Sequence, residues 1–301
     1  MVQNTYSTST NTIGGIAGLF FSRDWKEFGF NGLSLMKFLK QSGYTTYAFL
    51  TGFHRDWYGL SALYRGTCDY YYESSINPEV KNDDDLVTLD EFQKKDVKQN
   101  SFIYIHLLST HVIGKKNAAF KKFFPDKIGI GADKKTALVN NYDNGILQAD
   151  YCIQQIFKKL AAENLLRNSS IFILADHGEL FGENSTWGHG GNVQPNLISV
   201  PLLIYDNHLE WYQNQSTATL KDIAPTVAQR IGSKVPACWQ GTSLHNPPHN
   251  FTAAIESVEK CDLPYGVLKK TGDTIELKIM DDNRQVKQTF IKKLNETNTL
   301  K

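Results

Sequence analysis

Several features that would assign a sequence of 301 residues at a glance are missing from this one. Its four cysteines, Cys68, Cys152, Cys238 and Cys261, show no CxxC spacing, so neither a disulfide scaffold nor a cysteine-built zinc site is expected. Buried free thiols are the plain reading, with a Cys238 to Cys261 bridge left open. Charge of either sign is not in excess: 32 Lys and Arg stand against 31 Asp and Glu, a formal net charge of +1. Such a balance creates no overall field to recruit nucleic acid or a layer of lipid headgroups, and nucleic acid is not expected as a partner. No window approaches the roughly 20 apolar residues of a spanning helix, so no transmembrane segment is expected. The polar start MVQNTYSTSTNT lacks the charged-then-apolar order of a signal peptide, so the chain by itself is expected to be neither inserted nor exported. Repeats and low-complexity tracts are also absent, and 41% hydrophobic residues with only 9 prolines describe a folded domain.

What is present alternates between two periods. GLSLMKFLKQSGY (Gly32 to Tyr44) spaces Leu35, Met36 and Leu39 on one helical face and offers Gly43 as a C-terminal cap, before the β-rich TTYAFL. FIYIHLL (Phe102 to Leu108), IFILA (Ile171 to Ala175) and VPLLIYD (Val200 to Asp206) read as short buried strands. Helices are expected over Tyr142 to Leu160 and over Leu220 to Ile231, the latter ended by Gly232. Lysine with Asp or Asn clusters at Lys81 to Asp85 and Lys115 to Lys135, which reads as solvated loops. Such alternation argues for an open parallel sheet covered on both faces, with chemistry just beyond the carboxyl ends of the strands. Beyond about Asn246 the composition turns polar, and TIELKIMDDNRQVKQTF suggests a hairpin in a C-terminal appendage.

Four of the eight histidines fall after these strands: His106 and His111, then His177, then His189. Asp176-His177-Gly178-Glu179 leaves a strand end with a carboxylate and an imidazole side by side, able to turn toward one divalent cation, with Gly178 permitting a sharp turn. His189 lies on the next loop and reaches the same cleft. An Asp-His pair alone reads equally as a hydrogen-bonded surface pair, and a lone strand-end histidine as a satisfied structural one. The convergence of three histidine-bearing strand ends favours a site. The opening TYSTSTNTIGGIAGLFFS reads as a hydroxyl-rich loop entering a helix whose amides face an anion. Its Ser and Thr suit a helix cap, and a hydroxyl among them would serve as a nucleophile only with a cation to lower its pKa.

Taken in order, these motifs resemble the alkaline phosphatase superfamily, in its sulfatase-like branch of phosphoethanolamine and phosphoglycerol transferases and lipoteichoic acid synthase. The resemblance rests on Asp176-His177-Gly178-Glu179, Gly182-Glu183-Asn184 and His189-Gly190, on His106 to His111, on Thr12-Ile13-Gly14-Gly15, and on LKQSGYTTY from Leu39. Tyr142-Asp143-Asn144 before a helix, Val200-Pro201, Asp222 to Thr226 and Gln240 to Leu244 extend it over about residues 5 to 245. It implies an α/β, alkaline phosphatase-like three-layer sandwich with a mostly parallel central sheet, helices on both faces and a small C-terminal appendage. The catalytic domain would be 1–245 and the appendage 246–301. It implies Thr12 as nucleophile and metal ligand, with Asp176 and His177 as further ligands of Zn or Mn. His111 and His189 would be catalytic and, with His106, would hold the transferred group, the leaving group or a second metal. Thr10 rivals Thr12, because the STST run leaves the register ambiguous by two residues.

Two departures follow from the same resemblance. The branch carries an acidic metal ligand on a strand before the nucleophile loop, and only eleven residues precede Thr12 here. A fragment, a replacement by another segment, or an inactive domain that binds without turnover are the three expectations. None of the cysteines sits in the Cys-x-Pro-x-Arg setting of formylglycine sulfatases, which disfavours that chemistry for sulfate esters. The expected activity is thus transfer or hydrolysis of a phosphoester on a phosphorylated lipid or glycan-type substrate, with a two-metal phosphodiesterase, a phosphatase or a sulfate-ester hydrolase as alternatives. Relatives in the branch are membrane-anchored with the catalytic domain outside the cytoplasm.

Overall fold

A computed structural model describes residues 1–29, 31–57, 59–76, 83–129, 131–255, 266–281 and 283–294. Two compact units make up the chain, Met1–Leu35 with Ser169–Lys301, and Met36–Asn168. The first opens with β1 (Asn4–Tyr6) and α1 (Thr12–Phe21), which is buried from Ile13 onward, as its apolar composition requires. Asn11, rather than a Ser or Thr, caps α1: its side-chain oxygen accepts the Gly14 amide at 3.1 Å, one of the donors a helix start leaves over.

Crossing into the second unit, α2 (Leu35–Gln41) is followed by Gly43 in the left-handed region at φ 88°, the cap its sequence predicts. β2 (Thr45–Leu50) lies between β3 (Tyr70–Glu73) and β4 (Ser101–His106), and both pairings are parallel. Tyr47, Ala48, Phe49 and Leu50 are buried, which places the core of this unit on the central strand. α3 (Asp85–Lys94) separates β3 from β4, and a long loop carries the chain from β4 to α4 (Lys134–Ala162). The helix expected from Tyr142 starts instead at Lys134, where Asp133 accepts the Thr136 amide at 2.8 Å. Tyr142 to Asn144 therefore sit inside a helix and not before it. The polar run KKTALVNN hid the first turns from a reading based on apolar spacing.

Back in the first unit come β5 (Ile171–Leu174), the short pair β6 (Leu180–Phe181) and β7 (Trp187–Gly188), α5 (Pro195–Ile198), β8 (Ser199–Val200) and β9 (Leu202–Tyr205). β10 (Thr217–Thr219) and α6 (Ile223–Arg230) follow, with Gly232 at φ 77° beyond the helix. β1 lies between β10, parallel to it, and β8, antiparallel. β5 and β9 pair antiparallel, Ile171 opposite Tyr205, and depart from the parallel arrangement expected of their buried-looking sequences. Between them lie the β6–β7 pair, the four-residue α5 and β8, and no long helix of the kind that usually carries a parallel crossover. Among the described residues β4 and β5 each pair along one edge only, and both are half-buried throughout.

The C-terminal segment forms an antiparallel sheet of β11 (Phe251–Ile255), β12 (Gly266–Thr271), β13 (Thr274–Met280) and β14 (Val286–Lys293), with the expected hairpin as its last two strands. Ile255, Leu268, Ile275 and Leu277 from this sheet share a core with Tyr6, Val193 and Ile198. Cys68, Cys152 and Cys238 are free thiols, whereas Cys261 and any bridge to it lie outside the described residues.

Candidate active site and metal centre

The site in the first unit is assembled where β1 and β5 end. Leaving β1, Ser7 donates from Oγ to the Asp176 carbonyl at 2.5 Å and from its amide to the Ile198 carbonyl at 2.7 Å. That fixes the loop between β1 and α1 against the segment after β5. At Gly15 the two backbones come closer still: an added Cβ would stand 2.3 Å from the Asp176 carbonyl oxygen, so only glycine fits. Gly178 also serves close approach, since an added Cβ would lie 1.9 Å from the Asn196 carbonyl oxygen. The sharp turn expected of Gly178 does not require a positive φ, for it is not among the residues in that region.

These contacts bring Thr12, Asp176 and His177 together. Thr12 Oγ1 lies 3.2 Å from His177 Nε2, and Asp176 Oδ2 lies 3.6 Å from the same nitrogen. His177 Nδ1 is 2.7 Å from the Gly178 carbonyl, which can only accept, so Nδ1 carries a proton and Nε2 is the nitrogen turned toward the hydroxyl and the carboxylate. Thr10, two residues earlier, is fully buried, and its Oγ1 has no hydrogen-bond partner among the described residues. Asn11 Nδ2 is likewise buried and unpartnered there. One hydroxyl of the run therefore meets the acid-imidazole pair, and the other is enclosed.

His189 joins this group, its ring 4.2 Å from that of His177 between centroids. Its Nδ1 is 3.0 Å from Glu179 Oε2. Burial presses the His189 pKa down, but the Glu179 hydrogen bond and the charges of Glu179 and Asp176 outweigh it and raise the pKa above the ordinary 6.5. Glu179, Asn11 and Ser7 were not assigned from sequence. Glu179 was visible as the last letter of the Asp-His-Gly-Glu motif, while nothing in the linear pattern marked Ser7.

In the second unit, His106 and His111 are each held by their own surroundings. Tyr104 Oη lies 2.8 Å from His106 Nδ1, and the His54 ring packs edge-on against His106 at 4.7 Å. The Ile113 amide donates to His111 Nδ1 at 3.2 Å, so the neutral His111 presents Nε2–H, a donor suited to an anion. Asp85 accepts the Leu108 and Ser109 amides at 2.7 and 2.8 Å and fixes the loop at the end of β4.

The sulfatase family profile matches residues 1–233. Among relatives, phosphoethanolamine transferase EptA of Helicobacter pylori is 28% identical over 130 residues, 40% of this chain and 25% of the relative. The chain thus spans about a quarter of that relative's length. Among solved structures, the C-terminal periplasmic domain of phosphoethanolamine transferase EptC from Campylobacter jejuni aligns with a TM-score of 0.66 at 23% identity, over 82% of each chain. The corresponding EptC domain from Escherichia coli, in complex with zinc, aligns with a TM-score of 0.67 at 20% identity, covering 87% of this chain and 82% of that one. The α/β architecture is therefore alkaline phosphatase-like.

Proposed function

The chain belongs to the sulfatase family, and on that premise we propose that it is a metal-dependent enzyme that transfers or hydrolyses a phosphoester through Thr12. The proposed chemistry is of the phosphoethanolamine or phosphoglycerol type, on a phosphorylated lipid or glycan substrate. One observation carries the reading: the Thr12 hydroxyl stands 3.2 Å from His177 Nε2, the imidazole nitrogen that also faces the Asp176 carboxylate at 3.6 Å. Hydroxyl, carboxylate and imidazole in one place form a donor set that fits Zn or Mn. The zinc in the EptC domain from Escherichia coli supports the same assignment. When bound, such an ion lowers the pKa of a hydroxyl and draws charge from phosphoryl oxygens.

In the proposed reaction Thr12 Oγ1 bonds to phosphorus as the bond from phosphorus to the leaving alcohol breaks, and the hydroxyl proton passes to water. His189, whose proton is retained to higher pH beside Glu179, supplies the proton that the leaving alcohol takes up. An acceptor alcohol, or water, then bonds to phosphorus and gives its proton to His189 as the Oγ1–phosphorus bond breaks, and Thr12 Oγ1 takes back a proton from water. On the resemblance alone, we assign His106 and His111 to binding of the transferred group; the Ile113 amide on His111 Nδ1, which leaves the hydrogen of the neutral ring on Nε2, supports that role for His111. We place the chemistry within residues 1–245 and treat the strands of 246–301 as an accessory sheet. The compartment we propose is extracytoplasmic, by likeness to the periplasmic domains; among the described residues no helix is long and apolar enough to cross a membrane.

The test is hydrolysis of a chromogenic phosphodiester by the purified chain with Zn²⁺ or Mn²⁺. Turnover that disappears in Thr12→Ala and on chelation supports the reading. Absence of turnover with every divalent ion would favour a domain that binds without reacting.

A further inference from the structure

The loop that leads from β4 to α4 carries two features that the balanced composition of the whole chain conceals. Between His111 and Asp133 there are five lysines and two aspartates, and α4 opens on Lys134 and Lys135, in a chain whose overall net charge is +1. In the same loop large apolar side chains face water: Phe124 is 65% exposed, Ile128 60%, Val112 55% and Ile113 50%. Single exposed apolar residues are ordinary, but several within one short segment, flanked by cations, mark an interaction surface.

This exposure is not the slack of an untethered loop. Asn144 Oδ1 accepts the Lys122 and Phe123 amides at 2.8 and 3.0 Å, and its Nδ2 donates to the Phe123 carbonyl at 2.9 Å. Asn140 and Asn141 donate to the Pro125 and Asp126 carbonyls at 2.9 and 3.2 Å. Lys121 Nζ reaches the buried Asp126 carboxylate at 2.6 Å, Lys115 Nζ pairs with Asp84 at 2.5 Å, and Lys116 is buried on the His111 and Gly114 carbonyls, which uses up three of the loop's cations internally. The backbone from Lys122 to Asp126 is therefore bound to one stretch of α4, and the rings of Phe123 and Phe124 are held outward. Lys122 and Lys127 stand exposed beside them.

We infer that this loop is a docking surface for an anionic lipid bilayer. Lysines at the level of acidic headgroups gain electrostatic attraction, and the apolar side chains between them recover their cost of exposure by entering the acyl boundary. Charge complementarity selects the partner. Branched Val112, Ile113 and Ile128 cannot stack on bases, and lysines among them are disfavoured against a neutral apolar protein surface. The inference is separate from the proposed reaction, because it is read by binding and not by turnover.

Cosedimentation of the whole chain with vesicles of phosphatidylcholine, with or without about one-third phosphatidylglycerol, is the test. The chain is expected to bind the anionic vesicles at low salt and to be released at high salt. Lys122→Ser with Lys127→Ser should weaken binding by about twenty-fivefold, at roughly fivefold per cation. Phe124→Ser with Ile128→Ser should weaken it by about tenfold, with an unchanged thermal melt. Equal binding to neutral and anionic vesicles, no binding to either, or full binding by both double variants would overturn the inference. So would self-association through this loop, seen by sedimentation velocity as a dimer that both double variants abolish.

Discussion

At the scale of single residues, the proposed chemistry rests on a difference between two threonines. Thr12 stands at the first position of α1 with its hydroxyl facing His177, whereas the hydroxyl of Thr10 is enclosed. Thr12→Ala is therefore expected to reduce phosphodiester turnover by about a thousandfold or more, and Thr10→Ala to leave it within about tenfold, by steady-state kinetics. Glu179 acts through its neighbour. It raises the pKa of His189, so the proposed proton donor is present at low pH and is lost as pH rises through that elevated value. Glu179→Gln removes the carboxylate charge, and the basic limb of the pH–rate profile is expected to move to lower pH. A limb that stays in place would assign the donor elsewhere.

At the scale of elements, the site depends on how closely α1 approaches the end of β5. A methyl group at Gly15 would collide with the Asp176 carbonyl, which is backbone and has no rotamer to yield. Gly15→Ala is expected to cost about 2 kcal/mol in urea denaturation and to weaken zinc binding together with it. Much of this was legible in the sequence: Gly-Gly behind a hydroxyl run, Asp-His after an apolar strand, and Gly43 and Gly232 as helix ends. The helix cap was legible only as a class, since Asn11 took the place of the Ser and Thr around it. The start of α4 was lost among polar residues, and the antiparallel pairing of β5 with β9 was lost because strand direction depends on the connection and not on the apolar run. Ser7 and Glu179 work through contacts with residues far along the chain or across a turn, which no local pattern records.

At the scale of the whole molecule, the first unit draws together residues from both ends of the sequence, and one ion pair lies deep in that assembly. Burial alone would raise the Asp206 pKa. Arg230 in bidentate contact at 2.9 Å, Ser170, the His208 amide and Tyr212 together overcome it and hold the carboxyl well below the usual range. A group depressed in this way stabilises the fold fully above its unfolded pKa of about 4, and that contribution is lost as pH falls through the folded value. Arg230→Met leaves a buried carboxylate without its cation and is expected to cost about 3 kcal/mol at neutral pH. The same variant should lose less stability than the parent on acidification, because its Asp206 is protonated at higher pH. Denaturation midpoints across pH 3 to 7 check both statements.

The account turns on whether Thr12 itself takes the transferred group, and intact-mass spectrometry with peptide mapping after an acid quench of the metal-loaded chain on a phosphodiester reads this directly. A phosphoryl-type adduct on Thr12, absent from Thr12→Ala and from Asp176→Asn, is the predicted result. Undiminished turnover in Thr12→Ala, or an adduct mapped to Thr10, would contradict it.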